Sequence, residues 1–142
     1  MVNKQFANAV HIMTSLAVLK NNKESVHSLL NSEQLAKSAN TNAVVVRRLI
    51  CSLTRAGLIQ TARGKTGGVS LLKEPHQITL KDIYLALELN DTISTNDKPA
   101  HKDCPVSCSM HQIMTTVSEG AEKVLHKYLE SQKLSDLIKK IK

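Results

Sequence analysis

The tripeptide Asn40-Thr41-Asn42 constrains the fold more than any other stretch of the 142 residues. It separates two short runs of helical periodicity, and three polar turn-forming residues stop one helix from running into the next. Ahead of it, Ser32 reads as the N-cap of a helix that turns Leu35, Ala36 and Ala39 inward. Behind it, Val46, Leu49, Ile50 and Leu53 recur at i, i+3, i+4 and i+7 in a helix over about 42–56. Gly57 supplies the left-handed residue that ends it. Two short helices joined by so brief a turn have helix-turn-helix geometry.

The charge agrees with this. Residues 32–73 hold seven basic side chains and one acidic one, Glu33, whereas the rest of the chain is nearly neutral, at 12 basic against 11 acidic. A neutral body with one basic segment suits a polyanion. With the apolar stripe of the second helix facing down, Val44, Arg48, Cys51 and Arg55 point away from the core and Arg47 lies on one shoulder. An exposed Val beside exposed Arg suits a major groove, where an aliphatic group meets a thymine methyl and Arg bridges guanine O6 and N7.

Two strands, 58–61 and 69–72, flank the tip Ala62-Arg63-Gly64-Lys65-Thr66-Gly67-Gly68. The glycine spacing is not that of a nucleotide-binding loop, and no helix follows it. The better reading is a basic β-hairpin wing whose Arg63 reaches the DNA backbone or minor groove. The fold class expected is mainly α with a small β-hairpin wing: a winged helix-turn-helix domain plus a long dimerisation helix.

The flanks complete the plan. A first helix over about 3–20 carries Phe6, Val10, Met13 and Ala17 at helical spacing, and residues 25–31 fit a short extended piece. Thr79-Leu80-Lys81-Asp82 is a capping box opening a fourth helix. Polar residues 90–105 read as a loop, followed by a long helix over about 107–130 and a short one over 134–141. In the long helix Met110, Met114, Val117, Ala121, Val124 and Tyr128 follow 4-3-4-3-4 spacing, widened by Ile113, Leu125 and Leu129. That stripe favours a symmetric dimer matching a two-fold operator. Gly120 within it would mark a close approach of helices. The expected division is 1–89 for DNA binding, 90–106 as a sensor loop, and 107–142 for dimerisation and the C-terminal helix. No membrane span is expected, and Asn8, His11 and Thr14 interrupt what would be a signal peptide, so the chain is expected in the cytoplasm.

Thr41-Asn42-Ala43-Val44-Val45-Val46-Arg47-Arg48-Leu49 and Ala56-Gly57-Leu58-Ile59 resemble the Rrf-type winged-helix transcription regulators, the bacterial family of IscR, NsrR and CymR. The wing fits that family's R-G-x-x-G-G-x-x-L pattern, and Ile78–Ile83 fits its I-(S/T)-L-x-(D/E)-(I/V) pattern. A Cys-Pro-Val stretch before the long helix is similar to its YwnA-like branch. The resemblance implies a homodimer with crossed long helices and two wings astride a palindromic double-stranded operator, with repression as the default. It places DNA contacts at Thr41, Asn42, Val44, Val45, Arg47, Arg48 and Arg63. Of the cations, Arg47 and Arg48 are assigned to bases, and Arg55, Arg63 and Lys65 mainly to phosphate.

Relatives that bind an iron–sulphur cluster hold it with three cysteines in the loop before the long helix. Here that loop offers His101, Cys104, Cys108 and His111, two cysteines at shorter spacing. A cluster would need His or an outside ligand, and zinc on two thiolates and two imidazoles is the other metal alternative. No cofactor is the leading expectation. A thiol switch needs fewer residues: Pro105 keeps Cys104 in the loop, and Cys108 falls in the first helical turn, where the helix dipole favours thiolate. Cys51, on the face of the DNA-reading helix, is a third redox candidate, since its modification would obstruct the groove. Inert small cysteines are the alternative to all of these.

Two competing classes fit less well. A thiol oxidoreductase would use Cys104 and Cys108, but the spacing is C-x3-C without βαβ context, and no other catalytic constellation is present. A winged helix that binds only protein would not need the basic segment. A DNA-binding regulator, not an enzyme, is the reading that remains.

Overall fold

A computed structural model describes residues 4–20, 29–64, 67–89, 93 and 98–141. Its elements are α1 (Gln5–Lys20), α2 (Ser32–Ala39), α3 (Ala43–Arg55), β1 (Ile59–Ala62), β2 (Gly68–Leu71), a 3-10 turn (Pro75–Gln77), α4 (Leu80–Ala86), α5 (Pro105–Glu130) and α6 (Leu134–Ile138). The fold is mostly helical with a two-stranded antiparallel hairpin, as the sequence implied. Residues 25–28 of the extended piece, Lys65, Thr66 and most of 90–97 lie outside the described residues. Among those described, no helix is long and apolar enough to cross a membrane.

One apolar core joins the elements. Ile12, Met13, Leu16 and Ala17 of α1 pack with Leu35 and Ala36 of α2 and with Val46, Leu49, Ile50 and Leu53 of α3. Leu58, Ile59, Val69 and Leu71 bring in the hairpin, and Ile78, Ile83 and Leu134 bring in α4 and α6. Fully burying each Val, Leu, Ile or Met side chain among these contributes about 1.5–3 kcal/mol, and this fixes which face of α3 is left outward.

Local chemistry sets the helix ends, with several corrections to the sequence reading. The α2 cap is Asn31, not Ser32: Asn31 Oδ1 accepts from Gln34 N at 2.8 Å, and Gln34 Oε1 accepts from Asn31 N at 3.0 Å. Ser32 is thereby the first helical residue. Asn40 closes α2 in the left-handed conformation at φ 51°, which Asn tolerates better than most residues. The expected Thr79 box is present, with Thr79 Oγ1 accepting from Asp82 N at 3.1 Å and Asp82 Oδ2 from Thr79 N at 3.0 Å. The strands are displaced by about one residue from their expected places. The long helix begins two residues early, at Pro105. Proline stops Cys104 from being helical but is itself suited to the first helical position, where no backbone N–H is needed. The final helix stops at Ile138, not Ile141.

The C-terminal part of α5 is clamped to the body. Thr79 and Lys133 form a β-bridge, Leu80 N donates to Gln132 O at 2.9 Å, and Leu134 N donates to Ile78 O at 2.8 Å. The Tyr84 ring of α4 sits edge-on between Phe6 and His126, each centroid 5.7 Å away. Tyr84 Oη donates to Glu122 at 3.5 Å, and His126 Nε2 lies 3.1 Å from Glu122 Oε2. Further toward the N-terminus, buried Ser118 donates to Ile93 O at 3.0 Å.

Candidate nucleic-acid interface

The outward face of α3 carries the residues expected of it. Asn42 caps the helix by accepting from Val44 N at 2.8 Å, so its carboxamide is fixed beside the turn. Val44 is 47% exposed, and Arg47, Arg48, Cys51 and Arg55 are all exposed along the same helix. Thr41 is half-buried. Val45 is half-buried too, but it packs against the apolar core, so its side chain belongs more to the fold than to the surface. The four core residues at i, i+3, i+4 and i+7 force this division, because a helix that buries them must turn the intervening positions out.

The hairpin stands beside α3. Its register pairs Ile59 with Leu71, Gln60 with Ser70, Thr61 with Val69 and Ala62 with Gly68. Four residues at about 3.3 Å each carry the tip about 13 Å from its base, and Arg63 is exposed there. Gly64 has φ +106°, which L side chains rarely adopt. Leu30 adds a single-residue third strand: Val69 N donates to Leu30 O at 2.8 Å, and Leu30 N donates to Val69 O at 3.4 Å. That strand passes so close that a Cβ on Gly68 would lie 2.7 Å from Leu30 O. Gly68 was the sequence signal for this contact, whereas a Cβ on Gly67 would meet Ala62 O across the hairpin; both were read there only as turn residues.

A scan against protein-family models matches residues 2–140 to Rrf2, described as an iron-dependent transcriptional regulator. The chain belongs to the Rrf2 family. It is 30% identical over 97% of its own length and 97% of the relative's to YwnA of Bacillus subtilis, named as an HTH-type transcriptional regulator. It is 28% identical to the HTH-type transcriptional regulator IscR of Cereibacter sphaeroides, over 91% of this chain and 83% of that one. The solved structure of CymR from B. subtilis superposes with a TM-score of 0.66 at 22% identity, covering all of this chain and 98% of the other. That likeness is one of fold. As an Rrf2 protein the chain is a DNA-binding transcriptional regulator, and its expected winged helix-turn-helix is the architecture observed.

The loop before α5 holds the sensor candidates. Cys104 is the α5 N-cap, with Sγ accepting from Ser107 N at 3.5 Å, and Cys108 lies one turn on with its thiol 3.6 Å from His101 O. His101, Cys104, Cys108 and His111 do not assemble as a ligand set: among the described residues no three His, Cys, Asp or Glu side chains gather to hold a metal ion. The contact between His101 and the Cys108 thiol runs through the His101 backbone carbonyl, at 3.6 Å. An iron–sulphur cluster needs four ligands, so these residues do not fit one.

The α5 stripe also differs in part. Met110, Ile113, Val117, Val124 and Tyr128 are exposed, and Met114 and Ala121 are half-buried. Leu129 is 5% exposed, buried within its own chain instead of widening the stripe. At Gly120 a Cβ would meet nothing within 4 Å, so among the described residues no helix of this chain approaches there.

Proposed function

We propose that this Rrf2 protein is a homodimeric repressor that grips a palindromic duplex in the cytoplasm. Residues 1–89 would read DNA, 90–106 sense, and 107–142 pair the chains. The observation that carries the reading is the exposed arginine face of α3 set beside the Arg63 wing. Arg47 and Arg48 address bases with Val44 against a thymine methyl, Thr41 and Asn42 hold the entry to the groove, and Arg55, Arg63 and Lys65 hold phosphate. The apolar stripe of α5 supplies the pairing surface, because an exposed row of this kind on a soluble monomer marks an interaction site.

Selection from a random-sequence duplex pool tests this. Inverted repeats with half-sites about 10 base pairs apart, or a multiple of that, are expected to be enriched. Enrichment should vanish in an Arg47→Ala, Arg48→Ala double variant. Selection that yields no common sequence, or that survives the double substitution, refutes the proposal. A thiol switch is the control best supported by the geometry, since Cys104 and Cys108 adjoin at one helix end; Cys51 is exposed on α3. If that switch operates, peroxide weakens binding in the parent and not in Cys104→Ser.

A further inference from the structure

A cavity of about 460 Å³ opens against the first three turns of α5, and Lys98, Cys104, Cys108, Met110, His111 and Met114 are among its lining. Both cysteines line this cavity: the Cys104 thiol accepts from Ser107 N at 3.5 Å, and one turn on the Cys108 thiol contacts His101 O at 3.6 Å and Lys102 O at 3.8 Å. The donor count decides which ions suit this place. Zinc in a structural site takes four ligands and a cluster also takes four, whereas no set of three His, Cys, Asp or Glu side chains gathers among the described residues. Two thiols with thioethers in the wall form a small, soft donor set, which selects Cu(I) over harder ions.

We propose that Cys104 and Cys108 form a two-thiolate site for a soft monovalent metal ion, Cu(I). Each thiol loses its proton to solvent and forms one Cu–S bond, so Cu⁺ and two thiols give an anionic bis-thiolate complex and two protons. Copper stays monovalent throughout, and no oxidant or reductant is consumed. Lys98, also in the cavity lining, carries a charge opposite to that of the complex. Met110 and Met114 keep the wall apolar and soft without being required as ligands. The site goes beyond the regulator reading and does not depend on it.

Reduced, metal-free protein is titrated without oxygen against Cu(I) held by bathocuproine disulfonate. One Cu(I) per chain is expected to leave the chelator, with two protons released per ion in weak buffer. Uptake should be lost in Cys104→Ser and in Cys108→Ser. Serine is itself a good N-cap, so Cys104→Ser keeps the start of α5, and unchanged circular dichroism confirms it. No withdrawal of copper, uptake that survives either substitution, or preference for zinc over Cu(I) overturns the site. Duplex binding by the same metal-free sample separates the two readings: copper uptake without DNA binding sinks only the regulator proposal, and DNA binding without copper uptake sinks only the metal site.

Discussion

Val124→Asp is the sharpest probe of pairing through α5. Val124 is 71% exposed in the single chain, so most of its burial is still to be gained. Full burial of such a side chain contributes about 1.5–3 kcal/mol, and 71% of that is about 1–2 kcal/mol per protomer. A two-fold interface counts the residue twice, giving about 2–4 kcal/mol, or roughly 30- to 700-fold in the dimer dissociation constant. Two carboxylates brought into the seam add a desolvation cost in the same direction. Because the side chain touches little of its own chain, far-UV circular dichroism and thermal unfolding of the monomer should barely change. Sedimentation equilibrium over a wide concentration range reads the dimer constant directly. Operator binding should move to correspondingly higher protein concentration. A dimer constant within threefold of the parent's would show that the chains do not pair along this stripe, and the reasoning from its exposure would fail.

Arg63→Ala should leave stability unchanged and lower the slope of log affinity against log salt by about 1.8, or about 0.9 for each of two lost phosphate contacts; an unchanged slope removes the wing from the DNA. Gly68→Ala puts a methyl 2.7 Å from Leu30 O, and overpacking of this kind costs about 1–3 kcal/mol, to be read as a lower urea midpoint. Leu53→Ala, at a position with no exposure, should cost about 2–5 kcal/mol by the same measurement, with the α3 surface chemistry untouched.

The DNA-reading half was legible because single periodicities decided it. Val46, Leu49, Ile50 and Leu53 can share one buried face in only one way, and that leaves Val44, Arg48, Cys51 and Arg55 outside. Thr79 and Asp82 likewise carry their own partners within four residues. Errors came where two residues competed for one role. Asn31 and Ser32 both make good caps, and the capping box with Gln34 settles on the first. Pro105 was read for what it forbids at Cys104, not for what it permits at the start of α5. The histidine–cysteine array could not be judged from spacing, since whether its four side chains gather depends on the conformation of the loop before α5, and among the described residues no three do. Leu129 looked like part of the stripe because periodicity cannot tell one chain's core from another's.

The clamp on α5 has a mechanical consequence. The Tyr84 hydrogen bond ties α4 to Glu122 of α5, and from there to Pro105 the helix runs 17 residues, roughly 26 Å. It is a lever with its fulcrum on the DNA-reading body, the Ser118–Ile93 contact part-way along, and its far end at the cysteines. A displacement of about 2 Å at Cys104 is then a rotation of only about 4° at the fulcrum. A thiol switch of the kind proposed would thus reach the body as an angle, geared down from a distance. In a two-fold pair each arm turns its own body, so the opening between the wings takes up both rotations.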